Sequence, residues 1–267
     1  MNKKNNLINT QKSQPQLLSS VKNALRVLNC FTIDQPKKGV GELALELGLA
    51  KSTVSRLMTT LASEGFVVRD SNSRKYRLGI SILALSGIIM SNLEITKEAG
   101  PVVNKLVNEL GETAHLAILD ETDTIYVHKE ECSHAVRILT YLGKRNPAYC
   151  TSSGKVLLAY SDESTINKVI DKGFIKYTNK TIDTKSKLLS EIKKVQERGY
   201  AYSKDEILEG VTSIAAPVRD YTGKVVAAIT VVGPNQRINS DKIPVFAKKI
   251  IDASKEASER LGYFIRR

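Results

Sequence analysis

From residue 20 to 31 apolar residues fall at helical spacing. Val21, Ala24, Leu25, Leu28 and Phe31 share a stripe, and Ser19 or Ser20 is placed to cap the first turn. The string GELALELG puts Leu43, Ala44 and Leu47 on one face and ends in Gly48, a residue free to take the left-handed conformation that closes a helix. After the turn Leu49-Ala50-Lys51, the run STVSRLMTTLASEG predicts a third helix with Ser52 as its cap, Val54, Leu57, Met58 and Leu61 inward, and Gly65 as its stop. Two β-rich segments, 66–69 and 74–78, flank Asp70-Ser71-Asn72-Ser73 and predict a hairpin. Three helices, the last two joined by a short turn, followed by a hairpin make a helix-turn-helix with a wing.

Further along, residues 80–93 predict an apolar helix with Ile82, Leu85, Ile89 and Leu93 on one stripe, and 94–110 a second helix that stops at Gly111. Strands are expected at 114–119, 124–129, 136–141, 200–203, 212–218 and 225–231, and helices at 153–160, 163–171, 185–198 and 242–261. The last two strands are joined through Asp220-Tyr221-Thr222-Gly223 as a hairpin. Hairpin-linked strands with interposed helices imply an antiparallel sheet covered by helices, so the whole chain is expected to be α+β. The expected organisation is a disordered tail (1–18), a winged helix-turn-helix (19–79), a linker helix (80–94) and a sensor-like domain (95–267).

Projected at 100° per residue, the third predicted helix turns Ser52, Arg56, Thr59, Thr60 and Ser63 away from its apolar side, with no acid before Glu64. Such a face suits phosphates and base edges better than the Glu and Lys pairs of an ordinary solvated helix. The expected DNA contacts are Lys51, Ser52, Thr53, Ser55, Arg56 and Thr59 from this helix, with Arg56 the main specificity residue. Arg74, Lys75 and Arg77 on the wing would reach backbone phosphates. Charge agrees with this placement. Residues 1–79 carry 13 lysines and arginines against 5 acids, +8 of the chain's +12. The competing reading is a winged helix used for protein contact, with its charge simply solvated.

Three cysteines, Cys30, Cys132 and Cys150, form no C-x-x-C pair and no even-numbered disulfide framework, which fits a reducing, cytoplasmic setting. The polar start lacks an apolar segment of signal-peptide length, and the longest apolar stretch, residues 78–90, is interrupted and too short to span a bilayer.

Catalytic and metal readings find little support. Ser152 to Lys155 fits S-x-x-K, a nucleophile motif, but the partner motifs S-D-N and K-T-G are missing. His128, Cys132 and His134, with His115, have no zinc-module spacing and read better as single polar residues of a sheet. No Walker loop or G-x-G-x-x-G calls for a cofactor. Asp205, Glu206 and Glu209 read as a carboxylate loop after a strand, structural before catalytic. Ser152, Ser153 and Gly154 open a helix whose free N–H groups and dipole favour a carboxylate; the competing reading is that Ser152 and Ser153 merely cap it. The alternative to a ligand-responsive DNA-binding protein is thus a small-molecule enzyme or metal-binding sensor carrying an incidental winged helix.

The strings SVKNALRVLNCF and GVGELALELGLAKSTVSRLMTTLASEGFVVRDSNSRKYRLG resemble the DNA-binding half of the isocitrate lyase regulator (IclR) family. GKRNPAYCTSSGKVLLA and RGYAYSKDEILEGVTSIAAPV resemble the two signatures of its second half, in the same order. The resemblance covers residues 19–261. It implies a GAF-like C-terminal domain that binds a small organic acid (a keto, sugar or aromatic acid), operator DNA as partner, and a homodimer or homotetramer. It also carries Ser203, Ser213, Thr230 and Val232 into the effector pocket beside Ser152, Ser153 and Gly154. Ser203 stands where relatives often have an acid, and Ser213 where they often have Cys, so the ligand is expected to differ from those of well-known members.

Overall fold

The computed structural model describes residues 17–135, 138 and 140–264. The chain divides into two compact units between Ile89 and Met90. The expected tail, residues 1–18, lies outside the described residues apart from Leu17 and Leu18.

The first unit contains helices α1 (Ser19–Asn29), α2 (Val40–Leu47) and α3 (Lys51–Ser63), then strands β1 (Val67–Arg69) and β2 (Tyr76–Leu78). Its core joins Val27, Leu43, Val54, Met58, Val67 and Tyr76. Gly48 closes α2 with φ 66°, the left-handed state anticipated for it. Four details differ from expectation. α1 begins directly after Leu18 with no side-chain cap, so neither Ser19 nor Ser20 caps it. Val21 and Leu25 of α1 are exposed, because the helix packs through Val27 and Cys30 instead. α3 begins one residue earlier, after Ala50, so Ser52 lies inside the helix and does not cap it. Arg74 belongs to the turn, at φ 55°, and the strand starts only at Tyr76. A backbone bridge between Lys38 and Tyr76 adds one rung to the hairpin.

Helix α4 (Ser81–Asn92) spans the division. Leu83, Leu85, Ile88 and Ile89 are all exposed, so its apolar surface is spread around the helix and does not form the single stripe expected.

In the second unit, α5 (Glu94–Leu110) ends at Gly111 in the left-handed conformation and leads into a six-stranded sheet. The strands β3 (Thr113–Asp120), β4 (Asp123–Glu130), β5 (Arg145–Pro147), β6 (Ala201–Lys204), β7 (Val211–Arg219) and β8 (Val225–Pro234) pair antiparallel in the order β5-β4-β3-β8-β7-β6. Alternate residues face opposite sides. Leu116, Ile214, Ile229 and Val231 pack with α5 and with α9 (Ile243–Arg260), whereas Ala201, Ala215 and Ala228 pack with α6 (Ser152–Ala159) and α8 (Lys185–Arg198). A remaining helix, α7 (Glu163–Lys172), starts from an Asp162 side-chain cap.

The strand expected at 136–141 is absent from its described residues, since Ile138, Thr140 and Tyr141 lie in no strand; the others fall outside the description. The strand that pairs with β4 on the side away from β3 is β5, whose Asn146 is the register partner of Thr124. A 3-10 turn, Ala148–Cys150, then delivers the chain to α6. There the cap is Thr151, whose Oγ1 accepts the Gly154 N–H at 3.0 Å, so neither Ser152 nor Ser153 caps the helix.

Candidate functional site

On the first unit, the inward residues Val54 and Met58 orient α3, with Leu57 packed beside them, and Ser55 and Arg56 look outward. Lys51, Ser52, Thr53, Ser55, Arg56 and Thr59 are all exposed, as are Arg74 and Arg77 on the wing. Lys75 differs: it is half-buried, and its ammonium sits 2.8 Å from Glu42. The Thr59 hydroxyl turns back to donate to the Ser55 carbonyl at 3.0 Å. The wing turn is fixed by Asp70, which accepts from the Ser73 N–H and hydroxyl and pairs with Lys37 at 2.6 Å. That lysine, together with Ser73, holds the Asp70 carboxyl well below the usual carboxylate range. The turn that presents Arg74 is therefore tied at several points before any partner arrives.

On the second unit, a cavity of about 530 Å³ opens where the N-terminus of α6 faces the sheet, a size ordinary for small-molecule sites. Of the residues expected there, Ser152, Ser153, Ser203, Ser213 and Val232 line it. Ser213 and Val232 are register partners on β7 and β8, and Ser152 Oγ donates to Ser213 Oγ at 2.8 Å, joining α6 to the sheet. Gly154 and Thr230 do not line it. A Cβ on Gly154 would lie 2.1 Å from the Ala148 carbonyl oxygen, so the glycine is needed where α6 crosses the 3-10 turn. Thr230 is buried deeper, opposite His115 across β3 and β8, with its hydroxyl unpartnered.

The cavity also contains groups that sequence reasoning passed over. Glu206, expected to be part of a solvated loop, is buried, and its Oε1 lies 2.6 Å from the Lys155 ammonium. Burial pushes the Glu206 carboxyl up, against the pull of that lysine and of the nearby Ser203. Lys155 is thus committed to a carboxylate, and Ser152 to Ser213, so the S-x-x-K string assembles no nucleophile and base. Asp205 does hold the loop: at φ 62° its Oδ1 accepts from the Gly210 N–H and from Asn235.

Tyr126 and Thr140 form another wall. Behind them His115 stacks on Tyr126 at 4.2 Å and meets the Thr140 hydroxyl through Nε2. Burial, reinforced by Lys129, Lys144 and His128, pushes His115 down to about 3. Cys150, also on the cavity, is pushed up to about 12 by burial, leaving it a thiol. His128 is bonded to Glu130 and Cys132 to Thr113, and among the described residues no group of three or more such side chains is disposed to hold a metal.

Comparison with known proteins follows the same division. The IclR helix-turn-helix domain matches residues 20–71, and the bacterial transcriptional regulator IclR C-terminal domain matches residues 88–259. The HTH-type transcriptional regulator KdgR of Escherichia coli is 30% identical over 251 residues, which cover 94% of this chain and 95% of KdgR. A solved IclR transcriptional regulator from Alicyclobacillus acidocaldarius matches with a TM-score of 0.80 at 28% identity, over 92% of this chain and all of the other. An IclR homologue from Microbacterium hydrocarbonoxydans, solved in complex with 4-hydroxybenzoate, shares the fold at a TM-score of 0.77 and 24% identity, over 91% and 98% of the two chains. No helix among the described residues is long and apolar enough to cross a membrane. With both halves matched and KdgR aligned almost end to end, the chain belongs to the IclR family of helix-turn-helix transcriptional regulators, which bind DNA and are not enzymes.

Proposed function

We propose that this regulator binds a specific operator through α3 and the wing, and that a small organic acid in the α6 cavity controls that binding. The observation that carries the DNA half is the set of exposed cations Lys51, Arg56, Arg74 and Arg77, none of which has an ion-pair partner among the described residues. Arg56 on the outer face of α3 would read base edges, and Arg74 and Arg77 would hold phosphates. Lys75 would have to leave Glu42 to join them.

The effector half is supported by the cavity itself. Ser152 and Ser153, at the positive end of α6, are buried at its wall, a placement that favours a carboxylate. The family relative solved with 4-hydroxybenzoate makes acids the first class to assay. Operators read by such motifs are commonly two-fold symmetric, so the working form would be a homodimer or a homotetramer in the cytoplasm, with the exposed apolar surface of α4 as its adhesive. The acid acts by preferring one arrangement of the paired α3 helices over another.

The test is selection of duplexes from a random library by the full chain, followed by fluorescence anisotropy of the winning duplex against salt and against a panel of organic acids. Steep loss of affinity with salt and a shift by at least one acid are expected. No enriched duplex would remove the DNA half, and indifference to every acid the effector half.

A further inference from the structure

β6 pairs with β7 from Thr212 to Ala215, so the outer edge of β7 has no strand beside it from Ala216 to Arg219. Two serines one turn apart on α9 satisfy this edge. Ser254 Oγ donates to the Pro217 carbonyl, while Ser258 Oγ accepts the Arg219 N–H at 2.9 Å and donates to the Ser254 carbonyl at 2.7 Å. Beside the edge lies a cavity of about 460 Å³ that shares no lining residue with the α6 cavity.

Arg219 stands on its wall. Its guanidinium lies over the rings of Tyr160 and Tyr263, at 4.8 and 5.9 Å, and Nη1 donates to the Gly223 carbonyl at 2.8 Å. Nε and Nη2 make no hydrogen bond among the described residues. Three arginines are half-buried among those residues, and two of them have a carboxylate: Arg198 pairs with Glu191, and Arg237 with Glu112. Arg219 has none. A charge partly withdrawn from water is ordinarily paired, and the guanidinium fork matches the two oxygens of a carboxylate.

The rest of the wall fits such a partner. Lys255 is exposed and forms no ion pair among the described residues, even with Glu259 one turn on, the acid of this wall. Ser254 and Ser258 are spent on the strand edge, which leaves the two cations as the main donors. Ile251, Phe264 and the two tyrosine rings make the remainder apolar.

We propose that this cavity is a second acid site, taking an organic carboxylate with an apolar body. Nε and Nη2 of Arg219 grip the two carboxylate oxygens, Lys255 adds a second positive charge, and Ile251, Phe264 and the rings cover the body. The assignment does not depend on the α6 cavity, so either site can fail while the other stands.

The chain has no tryptophan, so Phe264→Trp places a fluorophore on this wall alone. The full chain carrying it is titrated with hexanoate against hexanamide and with benzoate against benzamide, pairs alike in shape and unlike in charge. At least one acid is expected to shift the emission and to bind about tenfold or more tightly than its amide. Arg219→Gln is expected to erase that preference, and Lys255→Gln, at an exposed position, to reduce it roughly threefold. Should Arg219→Gln fail to fold, Lys255→Gln and the parent pairs decide. Acid and amide binding alike, or a preference untouched by the replacements, would overturn the assignment, the latter by pointing to acid bound elsewhere. No response to any of the four compounds would overturn the site.

Discussion

Gly154 in the first turn of α6 lies so close to Ala148 that a β-carbon would come within 2.1 Å of the alanine's carbonyl oxygen and 2.4 Å of its Cα. Both atoms are backbone, so neither can swing aside. Gly154→Ala is expected to destabilise the second unit by ~3 kcal/mol, read as a fall in melting temperature of roughly 6 °C or more. Gly87 in α4 has open space around it, and Gly87→Ala should leave stability unchanged or raise it by up to ~1 kcal/mol. Equal melting temperatures for the two variants would contradict this contrast.

Glu112, buried before β3, receives a two-point contact from Arg237, with Nη2 2.8 Å from Oε2 and Nε on Oε1. This fork ties the start of β3 to the segment after β8. Glu112→Gln keeps the shape but removes the charge opposite the guanidinium, and should cost on the order of 3 kcal/mol in chemical denaturation. A loss below about 1 kcal/mol would assign the pair to the weak, solvent-screened class.

How far the sequence showed these features depends on the range of the forces involved. Helix α5 was legible because its apolar period is regular and a local rule sets its end, Gly111 in the left-handed conformation. Strand β5 was not: three residues ending in Pro147 have no period to detect, and only pairing with β4 makes them a strand. Exposure of Val21 and Leu25 was equally hidden, since α1 has apolar residues on more than one side and packing selects among them. At the cavity, Ser152 and Ser153 were legible from their position at a helix start, and Ser203 and Ser213 only through the family resemblance. Glu206 was not, because its burial depends on Lys155, 51 residues away in the chain. The G-K string and the carboxylate loop were both visible, but nothing local links them. The close approach of Gly154 to Ala148 was likewise hidden, since no local pattern announces it.

His115 carries a pH prediction. Its folded value of about 3 lies below the ordinary 6.5, so between those values the unfolded chain binds a proton that the folded chain refuses. Stability from this group is complete above pH 6.5 and is lost as pH falls toward 3. Lowering pH from 7.5 to 5 should cost ~2 kcal/mol from this residue. Urea melts of wild type and His115→Gln across that range should therefore converge as the pH drops, and parallel curves would refute the assignment.

For the DNA face, Arg77→Ala should weaken all duplexes alike and reduce the slope of log affinity against log salt by about 1. Arg56→Ala should instead relax discrimination between the selected duplex and its single-base variants by ~1–3 kcal/mol at one position. Anisotropy titrations at several salt concentrations separate the two. A uniform loss in both variants would demote Arg56 to a phosphate contact.

Thr59 and Thr60 spend their hydroxyl protons within α3, on the carbonyls of Ser55 and Arg56. What they turn outward is lone pairs alone. Phosphate oxygens, being acceptors themselves, gain nothing from such a surface, whereas the exocyclic amines of adenine and cytosine do. In the proposed complex Thr59 and Thr60 would favour the amino edges of the major groove, and grip on the sugar-phosphate rails would fall to the guanidinium groups.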